Sequence, residues 1–469
     1  MAEIFWNWLM VESSRPSQPS DREGSSSELD PARVLVSLPG SGARAQSLGK
    51  AHYSYGFAAH SFLSMFDAAG ITSRVIAAPE QYKSELFGQV NGISGERNLH
   101  LIFRSSESIR LIAGAYNVAC FAWEFDALKS EGLPTESVLD NQIQMLRACD
   151  EIWTPCHYTR RVLTEHGVDQ VQVIPAPISV ARSFPEERHR SFASLALFES
   201  VPLVTLSSGN EAAFVRLASQ HTAPLGSHTR VARALDRGSV FLTVCNPYDQ
   251  RKNLATLIEG FLMATEGLDD VVLIIKLVTS GQFESPSGFL FHQLRVIFGN
   301  PHCLHEESVV LFAGFLAEDE MDALYCTADF YLCTSLGEGQ NLPLLEAMAR
   351  GCVPVSVRNT AMADYINPDN AIVIEEGVYR GMVSGLAADV AGKRLNIPFC
   401  DRFQVADAVR TALALDADAL GRKRKAAHQA VLTGYSPARV LEMVTAHLSN
   451  ACPDIDLSPN RTGRPVGVD

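Results

Sequence analysis

Two glutamates eight positions apart, Glu338 and Glu346, flank the run Gly339-Gln340-Asn341-Leu342-Pro343. The apolar run before them ends at Thr334, which predicts a buried strand, a polar loop over 335–342 and a helix opening at Pro343. Proline suits a first helical turn, where its missing N–H costs nothing. The helix is expected to reach Arg350, with Gly351 as its C-cap. The free N–H groups of Gly339, Gln340, Asn341 and Leu342, with the positive end of the helix dipole, suit an anion such as a phosphate. The two carboxylates would repel that anion. They are fitted instead to accept hydrogen bonds from hydroxyls, as a sugar and a ribose would offer.

A second charged pair, Arg251-Lys252, lies in the run 246–253 between an apolar stretch and a helical pattern. Cations at a helix start are unfavourable unless an anion is near. Two fixed cations there would stabilise a bound anion or negative charge growing on a leaving group. Further upstream, Pro39-Gly40-Ser41-Gly42 follows a short apolar run. Gly40, Gly42 and Ala45 mimic a dinucleotide fingerprint, but no acid closes the next strand where that fingerprint needs one, so a dehydrogenase is a poor second reading.

The elements that must position these residues alternate between strand and helix. Apolar runs at 33–38, 73–78, 99–103, 118–123, 151–154 and 171–174 read as strands, with helical spacing at 53–69 and through Leu139, Ile143 and Leu146. The rhythm breaks over 179–236, which is rich in Ser, Arg, Ala and Pro around one apolar island at 201–206. It restarts with strands at 239–245, 271–277, 309–312, 330–333, 353–357 and 371–374, and a helix over 253–264 with Leu254, Leu257, Ile258, Phe261 and Leu262 on one face. Such alternation predicts an α/β protein with parallel sheets, and two consecutive units imply a cleft with ligands beyond the carboxyl ends of the strands.

The run Glu338-Gly339-Gln340-Asn341-Leu342-Pro343-Leu344-Leu345-Glu346-Ala347-Met348-Ala349, then Gly351, Pro354 and Val355, resembles the signature of glycosyltransferase family 4, retaining enzymes of the GT-B fold. Arg251-Lys252-Asn253 looks like that family's donor-phosphate loop, with Asn246 standing where many members place an Arg. The resemblance implies a GT-B architecture: a flexible segment 1–31; a Rossmann-like acceptor domain 32–236 with an insertion near 179–236; a Rossmann-like nucleotide-sugar domain 237–434; a crossover helix 435–450; and a loose tail 451–469. It implies transfer of a hexosyl unit from a nucleotide-diphosphate sugar to a sugar, lipid-linked or protein-linked acceptor, with no separate cofactor and no metal. Glu338 would hold the transferred sugar, Glu346 the ribose, and Arg251 with Lys252 the diphosphate. Gly40 and Gly42 would lie near acceptor and diphosphate, and Glu124, in a Trp-Glu pair that some members carry, would contact the acceptor or the hexose. A GT-B phosphorylase and an inactive GT-B module used for binding or assembly are the alternatives.

Composition bounds the rest. A net charge of −14 disfavours nucleic acid as a partner. None of the ten cysteines forms a Cys-x-x-Cys pair, and no leader or membrane-spanning run is read, so a cytoplasmic protein is expected. Peripheral contact with the inner face of a membrane is left open, through residues 4–11 or the basic run Arg422-Lys423-Arg424-Lys425. Asp416/Asp418 and Asp454/Asp456 have the D-x-D form but sit in a helical stretch and in the tail.

Overall fold

The structure is a computed structural model, and it describes residues 32–38, 53–76, 79, 97–129, 141–184, 203–205, 229–247, 249–278, 308–313, 316–382 and 393–459. Gly40, Gly42 and residues 4–11 lie outside the described residues.

The first sheet has six parallel strands: β1 (Val34–Ser37), β2 (Ser73–Ile76), β3 (Leu99–Ile102), β4 (Tyr116–Cys120), β5 (Glu151–Thr154) and β6 (Val171–Val173), in the order β2-β1-β3-β4-β5-β6. Helices α1 (Tyr53–Ala68), α2 (Gln142–Arg147) and α3 (His157–Glu165) connect them. Strands β1, β3, β4 and β5 are buried along their whole length, as expected when helices cover both faces of a parallel sheet. Their apolar side chains feed two cores, one around Phe62, Phe66 and Trp153, the other around Phe121, Leu146 and Ile152.

The second sheet runs β13-β12-β11-β8-β9-β10-β7. Its parallel strands are β8 (Ser239–Cys245), β9 (Val271–Leu277), β10 (Val309–Ala313), β11 (Phe330–Cys333), β12 (Val353–Ser356) and β13 (Ile372–Val373). The seventh, β7 (Leu203–Thr205), pairs antiparallel with β10. Helix α4 (Thr229–Arg237) seats Val231, Ala234 and Leu235 in the same core. The sequence reading had placed both β7 and α4 with the first domain. Strand pairing and burial attach them to the second, because an edge strand and an apolar helix face go wherever backbone groups and core surface are available. Helices α5 (Leu254–Ala264), α6 (Glu318–Thr327), α7 (Leu342–Ala349), α8 (Arg402–Leu413) and α9 (Ala417–Gly434) complete this domain.

Helix α10 (Pro437–Ala451) crosses back, burying Val440, Val444 and Leu448 in the first-domain core. The crossing is anchored where Ile178 N–H donates to the Tyr435 carbonyl, 2.8 Å away. The stretch after Asn450 was expected to be loose. Its described part is docked: Ile455 and Leu457 are buried, Asp454 pairs with Arg97 at 2.6 Å, and Asp456 pairs with Arg33. Two acids spaced for a metal thus serve two arginines of the first domain.

One element was not foreseen. Strands β14 (Gly377–Met382) and β15 (Arg394–Phe399) form an antiparallel pair between β13 and α8. Leu395 and Ile397 of β15 enter the first-domain core, Asn396 donates to Asp126 at 3.0 and 2.5 Å, and Lys393 donates to the Leu128 carbonyl at 2.6 Å. The pair therefore straps the second domain onto the first.

Candidate active site between the two domains

Among the parallel strands of the second sheet the chain starts at β8, moves outward through β9 and β10, then returns to lay β11 on the other side of β8. The loops after β8 and β11 consequently diverge from adjacent strands and leave a crevice at the sheet's carboxyl edge. These are the loops that hold the charged residues singled out from sequence.

After β8, Asp249 caps a short 3-10 turn over Gln250–Lys252, its Oδ1 accepting from Arg251 N–H at 3.1 Å. Asn253 then takes a left-handed conformation, φ 52°, and starts α5. After β11, the loop reaches Asn341, also left-handed at φ 62°, and Pro343 lies in the first turn of α7 as expected. Thr360, φ 44°, faces the same loop: its Oγ1 accepts from Glu338 N–H at 2.8 Å. Asn253, Asn341 and Thr360 are the non-glycine residues with positive φ among those described. A β-branched residue there is strained, and strain of this kind collects where a loop must hold a functional geometry.

The side chains meet directly. Lys252 Nζ lies 2.5 Å from Glu338 Oε1, which also accepts from Ser335 Oγ at 2.7 Å. Arg251 Nη1 pairs with Glu124 of the first domain, while its Nε and Nη2 donate to Asp249 at 2.9 and 2.6 Å. The opposing domain is close in backbone as well. A Cβ on Gly339 would stand 2.8 Å from the Ala122 Cβ, and one on Gly337 3.1 Å from the Glu124 carbonyl oxygen. Glycine at 339 is what lets the two domains touch here. Glu124, Arg251, Gly337, Leu395 and Ile397 line a small pocket at this junction.

Charge balance follows from these contacts. Burial alone would lower the Lys252 pKa, but Glu338 and Asp249 outweigh it and hold the ammonium above its ordinary value. Burial pushes Glu338 up, and the charges of Lys252 and Arg251 bring it below the usual carboxylate range. Asp249 is raised by burial against the opposing pull of Lys252. Three carboxylates, Glu124, Asp249 and Glu338, thus face two cations, Arg251 and Lys252.

Glu346 lies one turn into α7 and accepts from the Tyr325 hydroxyl at 2.7 Å. Burial raises its pKa to about 7; the Tyr325 bond and Arg350 oppose the rise, and Asp322 and Glu318 add to it. Asp322 is itself paired with Arg350 at 2.6 Å.

The side chains of Gln340 and Asn341, read from sequence as part of the anion loop, are engaged within the protein. Gln340 Oε1 accepts from Ala176 N–H at 3.0 Å, and its Nε2 donates to the Ala176 carbonyl at 2.8 Å. This amide clasps the backbone of the first domain as a strand neighbour would, and the Tyr365 hydroxyl donates to the Gln340 carbonyl at 2.9 Å. Asn341 Nδ2 lies 3.4 Å from Cys333 Sγ and 3.6 Å from Met362 Sδ. Leu342 packs against the cores of both domains. What the loop offers a ligand is therefore its backbone. Gln340→Leu, similar in volume, should leave both Ala176 backbone groups without their side-chain partner and destabilise the protein by about 2 kcal/mol, read as a lowered urea midpoint.

Asp249, Ser335, Tyr325 and Thr360 belong to the site but were not singled out from sequence. Only Asp249 carried a local signal, an acid capping the turn that bears Arg251. Other candidates have structural duties. Asp416 caps α9, Lys423 donates to the Pro368 and Ala371 carbonyls, and Arg424 to the Gly351 carbonyl. Among the described residues no helix is long and apolar enough to cross a membrane, and no group of three His, Cys, Asp or Glu is placed to hold a metal ion.

Residues 238–388 match the family model described as Glycosyl transferases group 1. No curated protein matches the sequence significantly. Among solved structures, HepE from Anabaena in complex with UDP and glucose is 12% identical, with a TM-score of 0.51 over 89% of this chain and 100% of that one. An alpha,alpha-trehalose-phosphate synthase (UDP-forming) from Burkholderia vietnamiensis is 12% identical, with a TM-score of 0.50 over 90% of this chain and 99% of that one. A TarM mutant from S. aureus is 11% identical at a TM-score of 0.45, and 55% of its length is spanned, about half of that protein. The chain therefore has the GT-B fold, and its second domain carries the Glycosyl transferases group 1 match.

Proposed function

We propose that this protein transfers a hexosyl unit, with retention of configuration, from a nucleotide-diphosphate sugar to an acceptor hydroxyl. The observation that carries this reading is the contact of Lys252 with Glu338, which joins the loops after β8 and β11 in the crevice opposite Glu124. Lys252 and Arg251 take the diphosphate; the backbone N–H groups of Gly339, Gln340, Asn341 and Leu342 support it. Glu338 accepts hydrogen bonds from the transferred sugar, and Glu346 from the ribose.

The acceptor oxygen bonds to the anomeric carbon as the carbon–oxygen bond to the diphosphate breaks. The acceptor proton passes to the departing phosphate on the same face. No protein nucleophile is then required, and Arg251 and Lys252 stabilise the charge on the leaving group, as a metal would elsewhere. In the absence of donor, Glu124 and Glu338 neutralise these cations; the incoming diphosphate exchanges with them, freeing Glu338 for the sugar and Glu124 for the acceptor side. The UDP and glucose held by the Anabaena structure favour a uridine donor for the first trial.

The test is a screen of UDP- and GDP-hexoses for transfer or donor cleavage, with the anomeric configuration of the product read by NMR. A glycoside or free sugar of retained configuration supports the proposal. An inverted product, or binding of none of these donors, rejects it.

A further inference from the structure

A buried lysine stands at the carboxyl edge of the second sheet, without a part in the chemistry above. Lys276 is the penultimate residue of β9, paired in register with Val244 of β8 and Phe312 of β10. It is 4% exposed, in a strand buried along its whole length. Its Nζ donates to the Leu277 carbonyl at 2.9 Å, which brings the ammonium to the end of the strand. Burial lowers its pKa to about 8, against an opposing pull from Cys245. An ammonium in such a place is a cost to the fold, because its charge has lost water. A methionine would fill much the same space without that cost.

The lysine adjoins the candidate site. Strand β9 lies beside β8, whose following loop carries Arg251 and Lys252. Cys245, the last residue of β8, is within electrostatic reach of Lys252, Asp249, Lys276 and Glu338 at once. Val278 N–H donates to the Cys245 carbonyl at 2.9 Å, which holds the chain after Lys276 against the start of that loop. Charge gives the lysine a task. Glu124, Asp249 and Glu338 against Arg251 and Lys252 leave one negative charge over. The diphosphate of a nucleotide sugar is a dianion and would enter a crevice of its own sign; the Lys276 ammonium restores the balance. Strand order gives the lysine a place. Along β11-β8-β9-β10, Glu338 follows β11 and Lys252 follows β8, whereas Glu346 accepts from Tyr325 of α6, the helix after β10. Lys276 of β9 thus falls between the cations of the loop after β8 and the end of the crevice proposed for the ribose.

We propose that Lys276 is a third cation of the donor site and holds the phosphate next to the ribose. The proposal rests on the donor site argued above and adds a residue to it. An ammonium has three donors and no acceptor, and it serves a phosphate oxygen as a compact point charge. Arg251 and Lys252 are then left to the outer phosphate, where the bond to the sugar breaks. The lysine also ties donor binding to a proton. In the empty crevice burial loosens its hold on the proton, and the facing groups are Cys245 and, around it, Lys252, Asp249 and Glu338. A phosphate brought against the ammonium tightens that hold, so binding above about pH 8 draws a proton from solvent onto Nζ.

Titration calorimetry of UDP, GDP, UMP and GMP into the full chain and into Lys276→Met tests this directly. The variant should unfold in urea no earlier than the wild type, since a buried charge has been removed. It should bind diphosphate and monophosphate each about tenfold or more weakly, because both carry the phosphate next to the ribose. Lys252→Met/Glu338→Gln should instead weaken the diphosphate far more than the monophosphate. At about pH 8.5 the wild type should take up a proton on binding, read from the heats in two buffers of different ionisation enthalpy, and Lys276→Met should not. Wild-type affinity in the folded Lys276→Met variant, or a loss confined to the diphosphates, overturns the proposal and leaves the donor site standing. Binding without proton uptake by the wild type at that pH overturns it too, and needs no variant. A wild type that binds none of the four nucleotides removes the donor site itself, and the role of Lys276 with it.

Discussion

Lys252→Ala should lower kcat/KM for sugar transfer by about a thousandfold or more, the scale on which a preorganised charge stabilises a developing anion. The lysine meets the donor-loop glutamate at 2.5 Å, and its ammonium is held charged by Glu338 and Asp249 despite burial. Truncation alone would confuse two effects. It removes the proposed phosphate contact, and it leaves the Glu338 carboxylate buried without its cation, which costs about 3–5 kcal/mol of stability. The double variant Lys252→Met/Glu338→Gln separates them. It replaces the ion pair by neutral groups of similar size, so the unfolding midpoint should return toward that of the wild type. Transfer should stay abolished. Recovery of activity in a stable double variant would show that the lysine acts only through the fold.

The second large effect is a pH dependence set by Glu346. Its folded pKa of about 7 lies above the ordinary 4.5. For an acid raised on folding, the native state holds a proton that the unfolded chain has released. Stability from this group is therefore intact below pH 4.5 and is lost as pH rises through about 7. Glu346→Gln keeps an oxygen for the Tyr325 hydroxyl but cannot ionise. It should match the wild type near pH 4.5 and exceed it above pH 7, by up to about 3 kcal/mol in urea unfolding. Nucleotide binding should move the other way. On the role proposed for it, the ionised carboxylate would accept from two ribose hydroxyls, so wild-type affinity for UDP should rise as pH passes about 7, and the Gln variant should bind weakly with a flat profile. A Gln variant that kept the wild-type pH profile would detach Glu346 from the ribose.

The parts of this arrangement that were legible in the sequence are those encoded by neighbours in the chain. The apolar stripe of α5, from Leu254 to Leu262, and the Pro343 start of α7 were readable because a helix face repeats within a few residues. The restart of strand–helix alternation placed the loops at 246–253 and 336–342 beyond the carboxyl ends of their strands, whereas the strand order that brings Lys252 to Glu338 became visible only in the fold. Contacts between distant segments were not readable. Gln340 looks like one more polar loop residue until Ala176, 164 positions away, lies against it. Asn396 and Asp126 are 270 positions apart, and although β15 alternates from Arg394 to Ile397, Pro398 interrupts it and its partner strand Gly377–Met382 carries no alternation. The docked end of the chain was misjudged for the same reason. Asp454 and Asp456 sit in a polar stretch, and only the positions of Arg97 and Arg33 in the folded first domain turn that stretch into a fixed strap.

The most direct test of the central claim is a calorimetric titration of UDP and GDP into the wild type and into Lys252→Met/Glu338→Gln. The account predicts one saturable site in the wild type for at least one of the two nucleotides, and affinity at least about a hundredfold weaker in the folded double variant. Equal affinity in both proteins, or no binding of either nucleotide by the wild type, would contradict the assignment of this crevice as a donor site.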